Sequence, residues 1–345
     1  MARSTQSTRR TGRGKSRKKS RVVLVVVALL CVVVITATVL TPYPVAYLLR
    51  AAFAKGPAVA PDDYDALAAR VTVEKDLRYP SIYRDNTADL YHPNQGEGPF
   101  PVVLWVHGGA FVGGDKKDIE IYATALAAQG YAVVCINYRR APEAKYPVPL
   151  EQTAEACRWL ATIAEEYVLA MDRLVLAGDS AGAHIAAQFT ALQTNPDYAA
   201  AMGMDAVLMP DTIKATLLFC GPYDAAQIAE VDNRVMGFFL QKAAQTYFGR
   251  RDWARALAPE ITLANHVTAN FPPTFLADGN TSSFERHARD FAAVLIQKGV
   301  STQTHFTSVE KEITKHEYQF VMNTPAGQEA FARVAAFLET VIPPA

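Results

Sequence analysis

From Val22 to Leu40 no charged residue interrupts a 19-residue apolar run. A helix of ~20 apolar residues crosses the hydrocarbon core of a bilayer, so this stretch predicts a membrane span. The chain stays uncharged to Leu49 and passes Pro42 and Pro44. Residues 41–70 read as a connector rich in Ala and Pro, and Tyr43–Phe53 fits either a membrane-facing segment or a cover over a site mouth. From Val71 the pattern changes. Val71–Leu77 alternates apolar and polar positions like an edge strand, and Ala88–Pro93 forms a second strand that stops at proline. Pro101–Val106 is continuously apolar, as expected of a strand buried on both faces. A helix over 117–129, a strand over 131–138, a helix over 150–167 and a strand over 174–177 follow. Further strands are predicted at 215–220, 273–277 and 302–306, with helices over 284–298 and 325–340. Strands that alternate with helices give an α/β architecture, a mostly parallel sheet covered on both faces. Between the strands at 215–220 and 273–277 lie about fifty residues rich in aromatics: Phe238, Phe239, Tyr247, Phe248 and Trp253. An insertion there sits above the carboxyl ends of the strands, where ligands bind in such sheets, so 225–270 reads as a small cap.

Charge sharpens the first part of this picture. The formal net charge is zero, yet nine of the 34 Lys and Arg residues fall within residues 1–21, which hold no acid. The remaining 25 basic residues face 34 acidic ones, a balance that argues against nucleic acid as a partner of the folded part. A basic flank beside an apolar span places that flank in the cytoplasm. The expectation is therefore a single-pass anchor in the cell membrane, with residues 1–21 cytoplasmic, 22–40 spanning, and 71–345 a globular domain on the other side. A cleaved signal is the competing reading, but its apolar core is ordinarily shorter, 7–15 residues. The four cysteines, Cys31, Cys135, Cys157 and Cys220, show no spacing that suggests disulfides or a metal site. No metal or cofactor is expected: no His/Glu pair has zinc-protease spacing and no G-x-G-x-x-G follows the first strand.

Two stretches carry chemistry. Gly178-Asp179-Ser180-Ala181-Gly182 lies between the apolar run Leu174–Ala177 and a breaker-free helical stretch from Ala183. Strand, G-x-S-x-G, helix is the context of a nucleophile elbow. The turn is tight, so the flanking glycines supply room, and the helix start favours developing negative charge near Ser180. About seventy residues upstream, His107-Gly108-Gly109-Ala110-Phe111 follows the strand that ends at Val106. Paired glycines let backbone amides turn outward. A serine hydrolase needs such donors for the oxyanion of its tetrahedral intermediate. The amides of Gly109, Ala110 and Ala181 are the candidates, with Gly108 shaping the loop, and His107 reads as a structural anchor.

With these motifs in place the chain resembles the α/β-hydrolase superfamily, specifically the hormone-sensitive-lipase-like carboxylesterases. The matching residues are His107-Gly108-Gly109-Ala110, Asn137-Tyr138-Arg139-Arg140-Ala141-Pro142-Glu143 with Tyr146-Pro147, the pentapeptide around Ser180, and His316-Glu317-Tyr318-Gln319-Phe320, spread over 70–340. The resemblance implies the α/β-hydrolase fold and a Ser–acid–His triad in that order. It implies Ser180 as nucleophile and His316, in a loop after the last strand, as base. His184, one helical turn past the serine, is expected to pack there. The acid departs from the family pattern. An aspartate is expected in a Gly-x-x-Asp turn after the strand at 273–277, but the chain reads Gly279-Asn280-Thr281-Ser282. Four carboxylates stand as replacements: Asp278 on the same strand end, Asp224 after the preceding strand, Glu285 and Glu312; the fifth possibility is that no acid serves. The resulting expectation is a membrane-anchored hydrolase of small carboxylic esters acting through an acyl-enzyme. The alternatives are a catalytically weak or inactive binding protein of the same fold, motivated by Ser282, and a serine peptidase, for which no additional domain is evident.

Overall fold

The computed structural model describes residues 12–231 and 233–344. The strands are β1 (Val71–Arg78), β2 (Thr87–Pro93), β3 (Phe100–Val106), β4 (Ala132–Ile136), β5 (Leu169–Asp179), β6 (Ile213–Phe219), β7 (Thr274–Asp278) and β8 (Thr302–Phe306). They form one sheet in the order β1-β2-β4-β3-β5-β6-β7-β8. The β1/β2 and β2/β4 pairs are antiparallel and every later pair is parallel. The helices in chain order are α1 (Gly12–Leu40), α2 (Tyr43–Ala52), α3 (Tyr64–Ala68), α4 (Glu120–Ala127), α5 (Val148–Ile163), α6 (Ala181–Thr194) and α7 (Pro196–Met202). They continue with α8 (Arg234–Phe248), α9 (Trp253–Ala256), α10 (Ala258–Ile261), α11 (Glu285–Gln297) and α12 (Pro325–Val341). This is the α/β-hydrolase fold.

The strand periodicity of two builds two cores from one sheet. On β3, Val102, Leu104 and Val106 pack among residues of α5, α6 and α11, while Val103 and Trp105 face α4 and α12. All seven residues of β3 are buried, which is why that strand reads as continuously apolar. The predicted helix over 117–129 is shorter and has two parts, a 3₁₀ turn Lys116–Ile119 and then α4. Asp115 caps the turn by accepting from the Lys117 amide, and Asp118 returns a bond to the Asp115 amide. The first eleven residues of the basic flank lie outside the described residues. No described side chain of the Val22–Leu40 stretch of α1 is buried in the protein.

Two features place the site. The carboxyl ends of β3, β5, β6, β7 and β8 lead into the loops that carry His107, Ser180, Cys220, Ser283 and His316. Above them the segment between β6 and β7 folds as α8, α9 and α10. Tyr247 stacks on Phe111 of the glycine loop at 4.2 Å, and Phe248 stacks on Trp253 at 5.2 Å. α2 packs on α8 through buried Val45 and Ala46. Its position, undecided by composition, is over the site. Arg50 donates to the Val112 carbonyl at 2.7 Å, to the Ala141 carbonyl at 2.6 Å and to both oxygens of Glu143. The Arg50 guanidinium holds the Glu143 carboxyl down to about 2.

Candidate active site

Ser180 stands between β5 and α6 with φ 50° and ψ −120°. This is left-handed backbone that a serine adopts at a cost of order 1–3 kcal/mol. Close packing enforces it. A Cβ on Gly178 would lie 2.5 Å from the Gly182 carbonyl carbon, and one on Gly182 would run into the Val106 carbonyl. The Ser180 amide donates to the Phe219 carbonyl at 2.8 Å. Ala110, Cys220, Ser282 and Glu317 also have positive φ. Asp76, Asp85, Val168 and Asp211 share that feature away from the cleft.

His316 meets the serine. Its Nε2 lies 2.9 Å from Ser180 Oγ. Its loop is clamped by the turn that follows β7: the Asn280 side-chain amide donates to the Thr307 carbonyl at 3.0 Å and the Glu312 carbonyl at 2.7 Å, and its oxygen accepts from the Thr314 amide. The ring edge of Phe284 packs on His316 at 5.6 Å.

On the far side of the imidazole no carboxylate among the described residues touches Nδ1. Ser283 Oγ does, at 2.7 Å, and the same hydroxyl donates to Asp278 Oδ1. One arrangement of protons satisfies all three bonds. Nδ1–H donates to Ser283, the Ser283 hydroxyl donates to Asp278, and the unprotonated Nε2 accepts from Ser180. Asp278 ends β7, is fully buried and has no partner for Oδ2 among the described residues. Burial pushes its carboxyl up to about 7, and burial pushes the His316 imidazolium down to about 4.

The other expected acids are elsewhere. Ser282 lines the cavity but makes no side-chain bond to His316 among the described residues; the hydroxyl that does belongs to its neighbour. Asp224, the other triad candidate, makes no bond to His316 among the described residues. It accepts from Thr262 Oγ1 at 2.9 Å and borders a separate small hollow with Arg286 and His287. Glu285 pairs with Arg289 along α11. Glu312 contributes its backbone carbonyl to the Asn280 clamp rather than a side chain to His316.

The Gly108 amide is not free for an oxyanion, because it donates to Asp179 Oδ2 at 2.9 Å. Gly109 and Ala110, with φ 106° and 52°, make no turn or loop bond through their amides among the described residues. Ala181 opens α6, where first-turn amides lack helical partners. His107 is the loop anchor expected of it: Nδ1 lies 2.7 Å from the Gly108 carbonyl and the ring stacks on Tyr138. His184 packs within α6 with Nδ1 3.0 Å from the Pro222 carbonyl.

Two carboxyls were passed over in the sequence. Buried Asp179 joins the elbow to β3 by accepting from Trp105 Nε1 at 2.8 Å and to the glycine loop through Gly108. Burial pushes it up to about 6. Burial, with the Asp179 charge close by, raises Glu317 well above the usual carboxylate range. The second residue of G-D-S-A-G was the available signal for Asp179. Glu317 had only its place beside His316. A cavity of about 440 Å³ opens over Ser180 and is walled by Leu49, Phe53, Met236 and Phe239. That volume lies within the range of small-molecule sites.

Comparison with known proteins places this geometry. The profile of the family described as BD-FAE matches residues 88–288, more than half of the chain. The chain is 28% identical over 268 residues to the carboxylesterase NlhH of Mycobacterium tuberculosis, covering 76% of this chain and 77% of the relative. It is 28% identical over 186 residues to an esterase of Gibberella moniliformis, covering 52% and 55%. A similar esterase of Fusarium pseudograminearum is covered to 54%, so the chain spans about half the length of these two curated relatives. Among solved structures, inhibited esterase B from Lactobacillus rhamnosis superposes with a TM-score of 0.69 at 22% identity, over 83% of this chain and 89% of that one. A bacterial heroin esterase superposes with a TM-score of 0.65 at 21% identity, over 85% and 96%. These two likenesses speak to the fold. The chain has the α/β-hydrolase fold of these structures and belongs to the BD-FAE family.

Proposed function

We propose that this protein is a membrane-anchored serine carboxylesterase that works through an acyl-enzyme, with Ser180 as nucleophile, His316 as base and Asp278 as the acid, acting through Ser283. The observation that carries the reading is the continuous chain of bonds from Ser180 through His316 and Ser283 to Asp278. Ser180 Oγ attacks the ester carbonyl carbon while His316 Nε2 takes its proton. The carbonyl oxygen becomes an anion facing the amides of Gly109, Ala110 and Ala181. Collapse of the tetrahedral intermediate breaks the bond to the alkoxy oxygen, which leaves with the proton returned by Nε2. Water repeats the sequence on the acyl-enzyme and frees the acid. In each half the imidazolium is stabilised by Asp278 through the Ser283 hydroxyl.

Anchoring rests on separate support. Val22–Leu40 is helical, apolar and unburied, and it follows a basic flank. The globular part would then lie outside the cytoplasm. The test is hydrolysis of p-nitrophenyl acetate and butyrate by the full chain in detergent micelles. Turnover that disappears in Ser180→Ala is expected. Turnover that survives in that variant overturns the assignment of the nucleophile, and no turnover by folded wild-type protein overturns the enzymatic reading.

A further inference from the structure

The segment that follows the span builds part of the substrate cavity. α1 ends at Leu40 and α2 begins at Tyr43, so only Thr41 and Pro42 separate them. The three residue steps from Leu40 to Tyr43 reach at most about 11 Å, which keeps α2 close to the end of the span. The cap holds that end directly. Lys242 Nζ of α8 donates to the Thr38 carbonyl at 3.0 Å, and the Arg251 guanidinium donates to the Leu40 carbonyl at 3.0 Å. Basic side chains bonded to the last carbonyls of a helix fix its C-terminus. Leu49, nine residues past Leu40, already lines the cavity over Ser180.

The outer face of this unit is apolar. α2 turns Tyr43, Tyr47 and Leu48 outward, and α8 turns out Val235 and Phe238. Exposed apolar patches of this kind mark interaction surfaces, and tyrosines concentrate where protein meets the lipid headgroups. Two apolar residues join the outer face to the cavity. Phe53 is 37% exposed and Val235 66% exposed, and both also line the cavity. The ionisable residues on the cavity wall besides His316 are Lys55, Asp118, Asp179 and Glu317, which offer an anionic headgroup a single amine among three carboxyls.

We infer that the α2–α8 face is a bilayer-docking surface and that the cavity loads neutral long-chain acyl esters laterally from the membrane. This deepens the esterase and anchor readings and rests on them. The occupant of the face is the bilayer rather than a protein partner, because the face is continuous with an apolar helix of membrane-spanning length.

The experiment uses the full chain in phosphatidylcholine vesicles. 4-Methylumbelliferyl oleate serves as the lipid-dissolved ester and 4-methylumbelliferyl acetate as the soluble one with the same leaving group. Leu48→Asp/Phe238→Asp places charges on the outer face and replaces no cavity-lining residue, although Phe238 packs on Phe239 of the wall. Oleate-ester hydrolysis should fall at least 10-fold while acetate hydrolysis stays within 2-fold, which also reports an intact fold. A second measurement needs no variant. The wild-type rate should follow the mole fraction of oleate ester in the protein-bearing vesicles and ignore added protein-free vesicles that carry it. Equal effects of the substitutions on both esters, a rate that rises with protein-free substrate vesicles, or hydrolysis of acetate without oleate each overturns this inference alone. Failure to hydrolyse either ester overturns the esterase reading beneath it.

Discussion

Replacing Ser283 with alanine removes one hydroxyl and two hydrogen bonds at once, the 2.7 Å contact to His316 Nδ1 and the bond to Asp278. The alanine methyl leaves Nδ1–H facing a gap, and buried Asp278, whose Oδ2 already lacks a partner among the described residues, loses the side-chain bond at Oδ1. Hydrogen bonds to charged groups contribute about 1.5–3 kcal/mol. That bond matters most when His316 is an imidazolium, so its loss falls on the transition state. At about 1.4 kcal/mol per decade, kcat should drop roughly 10- to 150-fold with KM little changed. The ceiling comes from proteases that lose the triad aspartate outright, where kcat falls ~10⁴-fold. Stopped-flow or steady-state hydrolysis of p-nitrophenyl butyrate measures both constants. Asp278→Asn and Ser283→Ala should also be non-additive, because the second removes the path through which the first acts. A Ser283→Ala enzyme within 2-fold of wild type, or strict additivity of the pair, would refute the relay.

Asp278 should govern the pH dependence. The carboxyl must be ionised to stabilise the imidazolium, and burial pushes it up to about 7, so kcat/KM should rise with pH through about 7 and Asp278→Asn should lose that limb along with most activity. The same group should make folding pH-dependent. A carboxyl raised on folding favours the native state below its unfolded value of 3.8, and this contribution is lost as pH rises through about 7. The full difference is about 4 kcal/mol. Thermal unfolding should accordingly show Asp278→Asn gaining stability over wild type between pH 5 and pH 8; a gap that stays constant counts against a buried ionising Asp278. Arg50→Met cuts α2 from the Val112 and Ala141 carbonyls and from Glu143. KM for butyrate esters should rise several-fold with kcat held within about 3-fold, as expected when uniform binding is lost, and an unchanged KM would remove α2 from the substrate wall. Ser282→Asp puts a carboxylate at the position the family pattern expects. It should give no gain in kcat if Asp278 already serves, whereas a gain of 10-fold or more would show the native relay to be crippled.

What the chain disclosed about itself depended on how local each feature is. The elbow was legible because strand, glycine-flanked serine and helix are contiguous, and the same holds for the glycine loop after β3. His316 could be placed once the family order was recognised, since the loop after the last strand has few histidines. The acid was not legible. Ser282 occupies the expected position, but its φ of 52° turns the chain so that Ser283, the next residue, faces the imidazole. That turn depends on Asn280 gripping a loop some thirty residues away. Asp278 was a candidate only by proximity, and nothing in its spacing announces a hydroxyl interposed between it and the base. The commitment of the Gly108 amide to Asp179 is equally non-local, joining residues 71 positions apart. α2 was ambiguous for the same reason: its apolar face reads alike against a membrane or a cap, and the partners of Arg50 lie 62 to 93 residues downstream.

The claim on which the rest depends is that His316, backed by Ser283 and Asp278, activates Ser180. The direct measurement is the second-order rate constant for fluorophosphonate labelling of the full chain, followed by intact mass with the modified residue located by peptide sequencing. The account predicts a single adduct on Ser180, slowed at least 100-fold in His316→Gln and by an intermediate factor in Asp278→Asn. An adduct on another residue, or labelling of Ser180 at an undiminished rate without His316, would contradict it.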